Sequence, residues 1–364
     1  MIGAARIGIV GCGVISRQYA ENARAFDSFD IVACADLDSL RSEALAAENG
    51  FVAMAPQALL ADPTIDVLLN LTPPSAHLAV IGSALEAGMH VYTEKPLATT
   101  DDNAAALLEE AARRELRIGC APDIFLGGAY QAARALVDQG AIGEPLSASA
   151  SMLLGGQASW HPDPDLFFAD GAGPLLDMGP YYLTAIVSLL GPVRSVAGFA
   201  SVKVDERTIE IGPRAGEVFR ASTPTHTAAA LELEGGATAT LVASFEAPSQ
   251  YVSDFRIYGS DGAIELPDPN AFGGVLRVRR GRGDWEDVPY ESRGSRDCRG
   301  LGLAEMIEAI EVGGPHRASG ELGRHIVGVA RAILRAAETG RTVDVGGRVG
   351  QPAPLPVTED ASAG

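Results

Sequence analysis

Positive charge is scarce in this chain. Its 364 residues carry 28 Lys and Arg against 47 Asp and Glu, a formal net charge of −19 at pH 7. That balance repels phosphate backbones and anionic lipid, so neither nucleic acid nor a membrane is expected as a partner. Cysteine and histidine are sparse as well. Cys12, Cys34, Cys120 and Cys298 lie far apart, and the six histidines form no cluster. No metal site and no disulfide framework is expected. Cys12 and Cys34 fall in or beside predicted core strands, where cysteine acts as a small hydrophobe. No apolar run approaches the length of a membrane span, and no charged-then-apolar leader precedes Arg6. The expected compartment is the cytoplasm, with all four thiols reduced.

What is present begins at once. Residues 7–10 are an apolar run that meets Gly11-Cys12-Gly13. A helix-like stretch follows, and a second apolar run, 31–35, ends on Asp36. Strand, glycine turn, helix, strand, acid is the order of a dinucleotide-binding βαβ unit. Gly11 permits the tight turn. Gly13, Val14 and Ile15 would present backbone N–H groups to a diphosphate at a helix N-terminus. Ser16 stands where a third glycine is usual, and its small size still allows close packing. Asp36 would accept hydrogen bonds from a ribose 2′-hydroxyl and repel a 2′-phosphate. Leu37 and Asp38 offer that phosphate no cation. NAD is therefore expected rather than NADP.

Residues 1–122 read as alternating strands and helices. Strands are predicted at 7–10, 31–35, 67–71, 91–93 and 117–120, and helices at 17–25, 39–48, 75–87 and 101–115. This alternation implies a doubly wound parallel sheet, an α/β Rossmann-type domain. From 123 to 345 the pattern becomes α+β, with a large, open, mostly antiparallel sheet. Helices are predicted at 130–139, 178–190, 303–311 and 321–339. Strands are predicted at 146–154, 196–204, 227–233, 237–245, 254–259, 263–266 and 276–280. Asp177 is a candidate N-cap of the second helix. Residues 346–364 read as a flexible tail. One broad sheet face would be left wet in a monomer, so a homodimer or homotetramer through this sheet is expected.

Ligands of a doubly wound sheet sit at the carboxyl ends of its strands. Besides the glycine turn, two such ends stand out: Leu71-Thr72-Pro73-Pro74 followed by His77, and Glu94-Lys95-Pro96. Thr72, Pro73, His77, Glu94 and Lys95 are candidate cofactor contacts, with Lys95 nearest the reacting ring. A second constellation is Asp177, Tyr181 and Thr184, whose spacing puts them on one helical face. Trp160 and His161, in a proline-stiffened loop, are candidate sugar contacts through stacking and hydroxyl binding.

These motifs together resemble the Gfo/Idh/MocA oxidoreductase family. The resemblance runs from Arg6 to about Val345 and rests on GCGVIS, ADLD, LTPPSAH, EKP and GAGPLLDMGPYYL. It implies a Rossmann domain, an α+β domain with an open sheet, and NAD(P)-dependent oxidation of CH–OH groups in sugars, glycosides or polyols. It also implies a catalytic role for Lys95. The family's D-x-G-x-H-x-x-D motif falls on Asp177, Gly179, Tyr181 and Thr184. Tyr181 replaces the usual histidine, as in glucose-fructose oxidoreductase-like members, and Thr184 replaces the last aspartate. The expected catalytic group is Lys95, Tyr181 and Asp177, and the expected substrate contacts are Lys95, Trp160, His161, Asp177, Tyr181 and Thr184. Two competing readings are a sugar- or cofactor-sensing binding protein and a glycoside-cleaving enzyme that works by transient oxidation.

Overall fold

The computed structural model describes residues 4–155, 157–247, 251–347 and 349–356. The first lobe is a six-stranded parallel sheet. Its strands are β1 (Ala5–Val10), β2 (Phe29–Ala35), β3 (Val52–Met54), β4 (Val67–Asn70), β5 (His90–Thr93) and β6 (Ile118–Cys120). They lie in the order β3-β2-β1-β4-β5-β6. The crossovers carry α1 (Val14–Asn22), α2 (Ser39–Asn49), α3 (Pro56–Leu60), α4 (His77–Glu86) and α5 (Asp101–Arg113). Helices on both faces explain why Ile7, Ile9, Leu68 and Leu69 are all fully buried along neighbouring strands. The strand order reverses between β1 and β4, which opens a crevice at the strands' carboxyl ends.

Two elements of this lobe were not foreseen. β3 is a short, largely exposed edge strand, and α3 is a single turn or so started by Pro56. Neither is long enough to show a hydrophobic period. The helix expected from residue 75 starts as a tight turn at Pro74–Ala76, and α4 follows from His77.

The second lobe holds α6 (Gly128–Asp138), β7 (Pro145–Leu153), α7 (Gln157–Trp160), α8 (Gly173–Asp177), α9 (Gly179–Leu190) and β8 (Val193–Ser201). A hairpin of β9 (Glu206–Thr208) and β10 (Val218–Arg220) forms a separate two-stranded sheet. Then come β11 (His226–Leu233), β12 (Thr238–Ser244), β13 (Val252–Gly259), β14 (Gly262–Leu266), β15 (Arg277–Arg280), β16 (Glu286–Asp287), α10 (Leu301–Val312), α11 (Gly320–Thr339) and β17 (Val343–Asp344). The large sheet is nine-stranded, in the order β16-β15-β14-β13-β7-β12-β11-β8-β17. Every neighbouring pair is antiparallel except β7 with β12. Helices α8, α9 and α11 cover one face, over Ala150, Leu231 and Leu241. The other face exposes Ala230 and Thr240 on adjacent strands, and Phe199 stands 82% exposed on β8.

The chain then returns to the first lobe. Cys120 N–H donates to the Ala318 carbonyl (2.9 Å), and α11 packs against both α5 and β6. The tail expected to be loose is tied down over its described part. Leu355 N–H donates to Gln131 (2.7 Å), Arg317 Nε to the Ala353 carbonyl (2.8 Å), and Gln351 to the Ser188 carbonyl (3.0 Å). Long polar side chains of α6 and the segment before α11 supply partners that the tail's own composition does not reveal. Residues 357–364 of that expected tail lie outside the described residues.

Candidate active site

The glycine turn is built by exclusion of side chains. Gly11 has φ +98°, and a Cβ there would stand 2.6 Å from the Leu71 carbonyl carbon. Only glycine lets β1 turn against the end of β4. Gly13 is the opposite case: among the described residues nothing lies within 4 Å of where its Cβ would be. Ser16 is fully buried and donates to the Gly13 carbonyl (2.6 Å). No side chain caps the start of α1. Its first N–H groups are therefore available to an anion.

Asp36 fixes the turn as well as facing the crevice. Its Oδ2 accepts from Cys12 N–H (2.7 Å) and its Oδ1 from Asp38 N–H (2.9 Å). Each oxygen keeps a further lone pair for a hydroxyl. Gly11, Gly13, Val14, Ile15, Asp36, Thr72 and Pro73 line a cleft of about 810 Å³. Val14, Leu37 and Leu40 expose large apolar surfaces along it. An open glycine, an uncapped helix start, a carboxylate and an apolar flank fit a dinucleotide. Among the described residues there is no group of three or more metal-ligating side chains. No helix among them is long and apolar enough to cross a membrane.

Lys95 enters from the end of β5, and Asp177 and Tyr181 enter from the other lobe. Lys95 Nζ donates to Asp177 Oδ1 (2.7 Å) and to the Asp177 carbonyl (2.6 Å). It lies 5.2 Å from the Tyr181 ring centroid. The expected N-cap role of Asp177 is not what the chain uses. The helix breaks at Met178, so Asp177 ends α8 and its carboxylate goes to Lys95. Burial alone would lower the Lys95 pKa, but Asp177, Tyr181 and Glu94 raise it overall. The lysine is an ammonium. Burial raises the Tyr181 pKa, against the opposing pull of Lys95 and Arg299. The tyrosine is a neutral phenol at pH 7.

Arg299 is a candidate site residue that the sequence did not reveal. Its guanidinium bears on the Tyr181 phenol and donates to Asn270 Oδ1 (2.7 Å), and its carbonyl accepts from Asn22 (3.0 Å). It sits in a loop outside every recognised motif, and no local pattern marks it.

Four expected contacts are corrected. His77 is fully buried, with Nδ1 2.7 Å from the Pro96 carbonyl and Nε2 2.9 Å from the Thr72 carbonyl. It ties two loops together and does not line the cleft. Glu94 accepts from the Tyr19 hydroxyl (3.0 Å) and from Lys95 N–H (3.2 Å), so it supports Lys95 from behind. Thr184 is closed off from the cleft, 2% exposed, because it lies one turn beyond Tyr181 on a fully packed helix. Trp160 is turned outward, with its ring edge-on to His161 at 5.5 Å. His161 does line the cleft, and its Nδ1 accepts from Asp163 N–H (3.0 Å).

Known proteins share this fold. The GFO/IDH/MocA oxidoreductase signature, described as an NAD-binding Rossmann fold, matches residues 5–121, and the GFO/IDH/MocA C-terminal domain matches residues 130–265. A dTDP-3,4-didehydro-2,6-dideoxy-α-D-glucose 3-reductase from Saccharopolyspora spinosa is 31% identical over 298 residues, 79% of this chain and 83% of the relative. A myo-inositol 2-dehydrogenase from Thermotoga maritima is 26% identical over 343 residues, 93% of this chain and 98% of the relative. The solved structure of levoglucosan dehydrogenase in its apo form shares the fold, with a TM-score of 0.84 at 20% identity over 96% of this chain and 100% of that chain. The chain belongs to the GFO/IDH/MocA oxidoreductase family, with an NAD-binding Rossmann fold as its first lobe and oxidoreduction at CH–OH groups as its chemistry.

Proposed function

We propose that Tyr181 is the acid/base and Lys95 its cationic partner in hydride transfer at a secondary alcohol of a sugar or polyol. The observation that carries this is the convergence of Lys95 from one lobe with Asp177 and Tyr181 from the other. Bound NAD supplies the acceptor or donor of the hydride. Two of the three Lys95 N–H groups go to Asp177, which leaves the third for a substrate oxygen. Lys95 is too tightly held as an ammonium to serve as the base, so proton movement falls to the Tyr181 phenol. A protonated Tyr181 suits donation to a carbonyl oxygen. Oxidation needs the phenolate, so its rate should rise with pH while the reduction rate falls.

Asp36 supports NAD over NADP. The relatives named for sugar and inositol chemistry support a sugar or polyol, and one of them acts on a nucleotide-linked sugar. His161 is the remaining candidate sugar contact on the second wall. The uncovered face of the nine-stranded sheet supports a homodimer or homotetramer. Four free cysteines support a reducing cytoplasm. The two competing readings, sensor and glycoside-cleaving enzyme, are not favoured.

The test is a screen of sugars, inositols and nucleotide-linked sugars, followed by NADH absorbance. A substrate-dependent signal that Tyr181→Phe abolishes supports the assignment. Turnover undiminished in that variant refutes it.

A further inference from the structure

Residues 157–168 run as a strap from the second lobe to the dinucleotide cleft. His161, Pro162, Asp163, Leu166 and Phe167 of this strap line the same cleft as Gly13 and Asp36. The strap has little regular structure: one turn of α7 and a tight turn at Pro164–Phe167. Its far end is fixed. Phe168 is buried, its carbonyl accepts from Ser222 N–H (2.9 Å), and its ring packs on Phe219 and Phe245. In the middle, Pro164 is buried and the rings of Trp160, His161 and Phe167 pack on one another. There the tip of the β9–β10 hairpin reaches across, and Glu210 N–H donates to the Ala158 carbonyl (2.9 Å).

Arg214, on that tip, gathers three acids. Its Nη1 lies 3.3 Å from Asp163 and 3.0 Å from Asp165, its Nη2 lies 3.2 Å from Asp165, and its Nε lies 3.0 Å from Glu217. Remove this cation and Asp163 and Asp165 repel each other, in a chain already at −19. Glu217, on the hairpin, would then face both aspartates of the strap with no cation between them. We infer that Arg214 is a positioning residue: it latches the strap as the second wall of the NAD cleft and so sets how tightly the dinucleotide is held. Arg214 does not line the cleft and acts only through the strap.

This inference rests on NAD binding in the cleft, and the test separates the two. The chain has two tryptophans, and Trp160 rides on the strap. In a Trp285→Phe background, Trp160 alone reports energy transfer to bound NADH. The expected result for Arg214→Met is weaker transfer and an NADH Kd raised about tenfold, the product of several weak pairs lost together. At saturating NAD and sugar its kcat should fall far less than its NADH affinity, since uniform binding changes KM and not kcat. Arg214→Lys should recover much of the affinity. Asp165→Asn, at a residue that does not line the cleft, approaches the latch from the other side, should also raise Kd, and should be less sensitive to salt. Circular dichroism confirms that each variant is folded. If Arg214→Met matches the parent in Kd and in transfer, the latch is refuted. If the parent itself binds no NADH by calorimetry, the NAD reading falls and the latch with it.

Discussion

The two walls of the cleft are made in opposite ways. The first wall, residues 11–17 with Asp36, is backbone: its working parts are N–H groups, a helix start and the absence of two side chains. The second wall and the catalytic group are side chains drawn together across long stretches of chain: Lys95 with Asp177, Tyr181 with Arg299, Asp163 with Arg214. The first wall should fail when atoms are added. The second should fail when charge or a hydroxyl is removed.

The largest effect belongs to the catalytic group. Tyr181→Phe and Lys95→Met should each lower kcat by about 10²–10⁴, the usual range for a lost acid/base. Their NADH Kd should change far less than kcat, because the first wall, which would hold the diphosphate and ribose, stays in place. Steady-state rates together with fluorescence titration check both halves. A variant that loses dinucleotide binding and catalysis in equal measure would mean the two walls are not separable.

The glycine pair breaks the comparison from the other side. Gly13→Val points into open space, so the fold should survive while the NAD site is obstructed. The NADH Kd should rise about a hundredfold or more, and the melting temperature should move by no more than about 2 °C. Gly11→Ala meets the Leu71 backbone and a φ of +98°. It should cost about 2–4 kcal/mol of stability, read by urea unfolding. Two glycines two residues apart would then fail for different reasons, one through ligand and one through fold.

This contrast also explains what the sequence could reveal. The first wall is contiguous: the glycine turn, α1 and Asp36 lie within one βαβ unit, and their spacing alone assembles them. Lys95 was legible because Pro96 and a strand end mark its position. Asp177 was legible as a partner of the lysine, but not as the end of α8, because a helix of five residues is too short to show a hydrophobic period. Thr184 was misplaced for a related reason. Helical spacing puts it on the Tyr181 face, but spacing says nothing of how deep that face is buried. Arg299 and Arg214 were missed because their partners lie in other segments, with no periodic signal between them. In the nine-stranded sheet, most long strands follow from alternation of buried and exposed residues. The β9–β10 hairpin does not, because each of its strands is three residues long.

A smaller effect tests the carboxylate of the first wall. Asp36→Asn keeps an acceptor for Cys12 N–H but removes the charge. The ratio of NAD to NADP activity should fall by about tenfold, as repulsion of a 2′-phosphate weakens. An unchanged ratio would move cofactor choice away from Asp36.

The last prediction concerns the point where the walls meet. Asp123 follows β6 and is 1% exposed. Its Oδ2 accepts from Gly300 N–H (3.1 Å) and Gly302 N–H (2.9 Å), at the start of α10 and beside Arg299. Burial pushes its pKa up to about 6, more than the Gly302 N–H and the Arg299 charge can offset. A carboxyl whose folded pKa is raised binds more protons when folded than when unfolded. Its stabilising contribution is therefore whole below the ordinary carboxyl range and is lost as pH rises through about 6. The loss should approach about 3 kcal/mol between pH 4 and pH 7.5. Asp123→Asn keeps the acceptor for both glycines and cannot ionise, so it should lack this term. Wild type should lose stability relative to the variant as pH rises, by urea unfolding at matched ionic strength. A wild type that holds or gains stability relative to the variant as pH rises would mean that the helix start and Arg299 outweigh burial. The junction between the two walls would then belong with the charge-built second wall, not with the packed core beneath the first.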